Sequence, residues 1–404
     1  VRIETWDRSE IAFDAEIVAL ARTVEEAEIL ADSVEIDVLS AEDGLRLESS
    51  FPNEQGELRG SWVTNFRMQI PSKADLDIES RHGDIRIAEV DGDVTARNAH
   101  CHTSVGDVSG ALRLRHSYGN VTVDRVGSEA AVDVRHGNLM LKETVEGLAL
   151  RNQHGNASVG PVGKDLDLFS AHTNTTVTSV GGRIEGRLRH TEFHMEKNVQ
   201  ESVVLDASHG AFRGRDIGGD LTVRHGSVVA DRVEGAVEID GSHSPIEIRH
   251  VGRDPSVKSS HARVSLGTVG GAAIVDAKHS PVRVSEVKGE TIVNGSHGPV
   301  ELEGVASAVT VNSKQGPLTI RPAGPINEEY RISNRGGPVD LTLPVGSDVT
   351  VEGSVKRGKA RCDHAKLAVT ATGKRSSRIS GQLLIGAARV LIEVDRGDLH
   401  IRDR

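Results

Sequence analysis

A histidine recurs along this chain at a spacing that barely changes, and that spacing restricts the fold more than any other feature. His82, His100, His136, His154, His172, His190, His209, His225, His243, His261, His279 and His297 fill twelve of fourteen registered positions, with Tyr118 and Gln315 in the other two. Eleven of the thirteen steps are 18 residues; the exceptions are 19, from His190 to His209, and 16, from His209 to His225. A fixed period of this length marks a solenoid, in which each repeat buries its apolar face only against its neighbours. A chain of 404 residues would otherwise divide into two or three compact domains, whereas a repeat array lengthens without deepening its core.

Indexing on these column residues brings out further columns. Apolar side chains stand six and four positions before the column (Leu76/Ile78, Leu112/Leu114, Leu148/Leu150, Val237/Ile239) and three and five after it (Ile85/Ile87, Val121/Val123, Leu139/Leu141, Val282/Val284). Valine stands eight after it, as in Val90, Val108, Val126, Val162, Val251 and Val287. Steps of two are strand alternation with one parity facing inward, so each coil holds two or three short strands. The residue two before the column is small or polar (Asn98, Asn152, Ser170, Gly241, Ser259), and the residue after it is small (Gly83, Gly137, Gly155, Ser244, Ala262). That follower suits a tight corner, where a positive φ or a close backbone approach is needed. The expected fold is all-β, a single-stranded parallel β-helix of about 18 residues per coil. The column shares parity with the inward positions, so its imidazoles are expected to point into the coil and stack along it.

The period is absent from residues 1–71, which read as a small α+β cap. Strands are expected from Val1 to Trp6, Glu10 to Leu20, Val34 to Leu39, Leu45 to Ser49 and Trp62 to Ile70, with a turn at Asp43-Gly44. Thr23 followed by Glu26 has the spacing of a capping box and predicts a helix start. Such a cap would cover the strand edge that an open solenoid end exposes. Residues 72–323 form the regular β-helix, and residues 324–404 read as irregular C-terminal coils that end on the run from Val390 to Ile401.

Composition narrows the function classes. Aromatic residues are 2% of the chain and Gly accounts for 43 residues, which suits thin coils filled by aliphatic side chains. The net charge is -11 with no basic block, so a phosphate backbone is repelled, and the scarcity of aromatics leaves no stacking platform for bases or sugars. Nucleic acid is therefore not an expected partner. Cys101 and Cys362 are the only cysteines, too far apart for a disulfide framework or a paired-Cys zinc site. No run of 18 apolar residues occurs, so no transmembrane segment is expected. A start at Val1 instead of Met suggests a processed export protein or a trimmed chain. The GxSxG, HExxH, Walker and dinucleotide patterns are absent, and no enzyme is expected. Paired acids such as Asp165/Asp167 and Glu301/Glu303 alternate with apolar residues and read as solvated strand faces.

The opening VRIETWDRSEIAFDAEIVALARTVEEAEILADSVEIDV, the segment FRMQIPSKADLDIESRHGDIRIAEVDGDVTA and the ending VLIEVDRGDLHIRDR resemble bacterial putative-adhesin proteins with β-strand repeats. These form a domain family of unknown function related to the head region of some autotransporter adhesins. The resemblance covers essentially the full length. It implies a right-handed parallel β-helix, a cell-envelope or extracellular location and no catalysis, and it supplies no functional residues. The near-invariant histidine before each small follower is not explained by it.

Three readings of the histidine column follow from its spacing. The first is a structural ladder of stacked rings. The second is an array for a divalent transition metal (Zn, Cu or Ni), since imidazole is a common ligand. A straight column offers each ring only two neighbours, whereas a site needs three or four convergent ligands. His100, Cys101 and His102 form the best local cluster, and the off-column His116, His194 and His250 are further candidates. The third is a pH switch, because dehydrated neighbouring imidazoles cannot all be charged and the fold would lose stability in acid. The leading functional expectation is a non-enzymatic surface protein acting as an adhesin-like or scaffold module toward a protein or cell-surface partner. Self-association into filaments is the alternative. No cofactor is expected other than that metal.

Overall fold

A computed structural model describes residues 1–41, 44–50 and 60–403, so Asp43 of the expected Asp43-Gly44 turn lies outside the described residues. The fold is the expected parallel β-solenoid of about 18 residues per coil. Two compact units are present, Val1–Val159 and Gly160–Arg404.

The first unit opens with the non-periodic segment. Strand Ser61–Pro71 pairs antiparallel with Ala12–Leu20 and parallel with Arg2–Trp6. Arg2–Trp6 pairs in turn with Ile85–Ile87 of the first coil, so this segment occupies the edge that the coil would otherwise expose. The terminal ammonium of Val1 donates to the carbonyl of Asp84 at 2.6 Å. In helix Val24–Asp32 the Thr23 hydroxyl accepts from the Glu26 N–H at 3.1 Å. The Glu26 carboxylate accepts from the Arg22 N–H at 3.2 Å, one residue earlier than a full capping box. Strands Glu35–Ala41 and Gly44–Ser50 form a separate antiparallel pair.

The coils of this unit supply one strand to each of two parallel sheets. Leu76–Ser80, Val94–His100, Leu112–Tyr118, Ala130–Arg135 and Leu148–Gln153 build one sheet; Ile85–Ile87, Thr103–Val108, Val121–Val126, Leu139–Thr144 and Ala157–Val159 build the other. Register follows the repeat, with Leu112 between Val94 and Ala130. The third side is a short ladder at the recurrent valine, a single bridge between Val90 and Val108 and two residues long where Asp107 and Val108 pair with Arg125 and Val126. The inward columns are those the spacing predicts: Leu112, Leu114, Val121, Val123 and Val126 of one coil are each 1% exposed or less. Burying each such side chain stabilises by about 1.5–3 kcal/mol, so cohesion comes from aliphatic contact repeated coil after coil.

The second unit repeats this plan. Its irregular steps are absorbed in register: Ile184–Arg189 pairs with Val203–Ser208, and Leu221–Arg224 with Val237–Ser242. The short coil loses its two residues at a strand end, since Leu221–Arg224 has four residues where Val203–Ser208 and Val237–Ser242 have six. After Pro322 the strand order departs from a simple continuation. The penultimate strand, Ala388–Arg396, lies between Tyr330–Asn334 and Val349–Arg357, parallel to both. Ser376–Gln382 then pairs antiparallel with Val349–Arg357 and with Ala368–Gly373. The last coil thus slots inside the stack, and an antiparallel meander covers the coil left outermost, which a parallel edge alone would leave open to further pairing. No helix among the described residues is long and apolar enough to cross a membrane.

Candidate functional site

Strand parity places the histidine column inside the coil; the structure places it outside. All twelve histidines are exposed, as are Tyr118 and Gln315. The cause is the backbone at the corner. His136, His154, His172, His190, His209, His225, His243, His261 and His279 hold φ between 50° and 63°, in the left-handed region. That turn ends the strand alternation on which the inward assignment rests. Histidine is among the non-glycine residues enriched there. Where the column residue is His82, Tyr118 or Gln315, the following Gly83, Gly119 or Gly316 takes the positive φ instead, at 112°, 122° and 121°. Cys101 does so after His100, at 79°.

Stacking itself is as expected. In the first unit the rings from His82 through His100, Tyr118 and His136 to His154 lie 4.8–5.1 Å apart and within 12° of parallel. In the second unit His172, His190 and His209 stack at 4.9–5.0 Å, and His243, His261, His279 and His297 at 4.4–4.9 Å. The coil repeat sets this ring separation. At the short coil the His225 Nδ1 meets the Asp206 carboxylate at 3.3 Å. Because the rings face solvent, the dehydration that the pH-switch reading required is missing.

The expected metal cluster is not assembled. His100, Cys101 and His102 are consecutive and exposed, but the His100 ring is stacked between His82 and Tyr118. His102 gives its backbone N–H to Asp84 Oδ1 at 3.1 Å. Among the described residues no three His, Cys, Asp or Glu side chains converge to hold a metal ion. His194 and His250 sit on outward-facing positions of strands Glu192–Met195 and Ile246–Val251.

Two features go beyond the sequence reading: a set of corner carboxylates, and the buried setting of His116, there only an off-column ligand candidate. Carboxylates seven before the column form the polar rungs of a different corner: Asp75 accepts from the Asp93 N–H and Asp93 from the Ala111 N–H, both at 2.8 Å. Asp254 accepts from Ala272 in the same way at 2.6 Å. Asp165 and Asp254 stand two residues after Gly163 and Gly252, whereas Asp75 and Asp93 do not share that spacing, so the rungs leave no uniform signal in the sequence. The second is His116, which stands two before Tyr118 and is 2% exposed. Its Nδ1 meets the Thr103 hydroxyl at 3.2 Å, while its Nε2 is buried without a partner. Burial pushes its pKa below the ordinary 6.5, against the backbone groups of Gly119 and Tyr118. Its register with Asn98 and Val134 marks it as an inward position.

Beside the column in the second unit runs a polar trough of about 650 Å³. Its walls are the outward residues three and one before the column, including Asp240, Lys258 and Asp276 on one side and Ser260, Lys278 and Lys314 on the other. The floor between the two rows is strand backbone at Gly241, Ser259, Ala277, Gly295 and Ser313, positions that face inward. Arg335 closes one end. Comparison with known proteins places this arrangement in no recognised group: no family model, no curated protein and no solved structure matches the chain.

Proposed function

We propose that the chain is a non-enzymatic scaffold of the cell envelope or surface, an adhesin-like module that holds an extended partner along its coils. The trough from Asp240 to Arg335 carries this reading, because it is long, polar and walled by side chains that repeat once per coil. A surface of this kind suits many modest contacts with a linear partner better than a closed site for a small molecule. The envelope location is supported by the resemblance of the opening, middle and closing segments to bacterial putative-adhesin proteins. The histidine column is, in this reading, a structural ladder that caps a corner of each coil: its backbone supplies the left-handed turn and its rings cover one another.

An array of immobilised linear polymers tests the reading. Neutral and charged glycans, polypeptides and single-stranded nucleic acids are presented to the purified full chain. Saturable capture of one class, with the polymer recovered at its original length, is the expected result. Shortened polymer overturns the non-enzymatic assignment, and failure to capture any class overturns the scaffold assignment.

A further inference from the structure

We infer that the trough of the second unit takes a linear polysaccharide that carries anionic groups on its sugar units, a polyuronate being the simplest case. This rests on the scaffold reading above and names the partner of that same surface.

Shape comes first. The trough crosses six successive coils, from the one bearing Asp240 to the one bearing Arg335, which is about 24 Å at roughly 4.8 Å per coil. An extended chain fills such a length, and one pyranose unit advances by close to one coil. The walls therefore meet each sugar with similar side chains.

Charge decides the sign of the ligand. Lys258, Lys278, Lys314 and Arg335 line the trough, and none has a carboxylate within 4.0 Å among the described residues. On the adjoining sheet, by contrast, Arg249 pairs with Asp231 at 2.9 Å and Arg321 with Glu301 at 3.2 Å. Only Asp240 and Asp276 oppose the four cations within the trough. These two carboxylates stand in register on either side of Lys258, Asp276 also accepting from the Asn294 amide at 2.6 Å, so the excess positive charge lies with Lys278, Lys314 and Arg335. On a chain of net charge -11, a trough with four cations against two carboxylates is a local excess of positive charge, which draws anions that the rest of the surface repels.

The floor separates a glycan from other polyanions. The strands beneath the trough are hydrogen-bonded to neighbours on both sides. An acidic peptide therefore finds no open edge on which to add as a strand. No aromatic side chain lines the trough, so neither bases nor sugars stack there; single-stranded nucleic acid loses its main sequence-tolerant contact, whereas a glycan is still met through its hydroxyls and charges. What remains is a set of hydroxyls and amides, Ser242, Ser260, Ser296 and Asn312 among them, which both donate and accept and so match sugar hydroxyls.

Isothermal titration of the full chain with hexameric galacturonate tests this, with a neutral dextran oligomer and poly-glutamate of similar length as comparisons. The expected result is one site per chain for the uronate, weakening as salt rises, and at least tenfold weaker binding of both comparisons. Lys258→Glu combined with Lys314→Glu should weaken uronate binding at least tenfold. Lys288→Glu, exposed and outside the trough, should change it less than twofold, with circular dichroism confirming folded protein in each case. Equal binding of poly-glutamate overturns the glycan assignment, and equal binding by the double variant overturns the location. No uronate binding, alongside capture of another polymer class on the array, sinks this inference and leaves the scaffold reading standing. No capture of any kind removes both.

Discussion

Replacing His116 by Val should stabilise the protein, and increasingly so in acid. The side chain is 2% exposed with an unpartnered Nε2, and leaving such a group buried costs about 1–3 kcal/mol. Val134 occupies the same inward position one coil later, so valine fits the site. Thr103 loses its contact with the ring but keeps the Asn98 amide, at 3.1 Å. After a deduction for the smaller side chain, the variant should be about 1 kcal/mol more stable at pH 7.5. Acid then adds a second contribution. Burial holds the folded pKa below 6.5, so the folded state keeps the ring neutral while the unfolded state binds a proton. Stability linked to His116 is thus fully present above about pH 6.5 and is lost as pH falls through that value toward the folded pKa. The advantage of the variant at pH 5.5 should therefore exceed its advantage at pH 7.5. Urea denaturation of both proteins at the two pH values measures this, and the contribution of every other histidine cancels in the difference. A difference that is the same at both pH values, or a variant that is the less stable at pH 5.5, refutes the reasoning.

Two further substitutions probe the corner. A Cβ on Gly137 would run into the carbonyl oxygen of Gly119 one coil below, so Gly137→Ala should destabilise by about 1–3 kcal/mol, read as a lower thermal midpoint. At His261, with φ of 62°, Gly should be tolerated within about 1 kcal/mol, whereas Val should destabilise by about 1–2 kcal/mol because a branched Cβ disfavours the left-handed region. Equal losses for the two variants would mean that ring stacking, and not backbone conformation, decides the residue at this position.

The coil period, the aliphatic columns and their parity were legible because burial of alternating side chains leaves a direct periodic trace. Leu112, Leu114, Val121 and Val123 are inward because nothing interrupts their strands. The orientation of His136 or His261 was not legible, because one residue with positive φ inverts the parity inference and the sequence carries no sign for φ when the residue is not glycine. The burial of His116 was not legible: the sequence offered it as an off-column ligand candidate, and only its register with Asn98 and Val134 marks it as inward. The placement of Ala388–Arg396 inside the stack depends on pairing between distant segments, which local alternation does not encode. The trough escaped notice because its walls are polar outward positions that look like ordinary solvated faces; only the alignment of the two rows across successive coils makes them a site.

The account turns on which way the repeating columns face, and native-state chemical footprinting of histidine tests that most directly. With diethyl pyrocarbonate and mass spectrometry, His243, His261, His279 and His297 should be modified in folded protein at rates near those of the unfolded chain, while His116 stays protected until unfolding. Protection of the column together with early modification of His116 would contradict the outward stack and, with it, the display surface on which the proposed function rests.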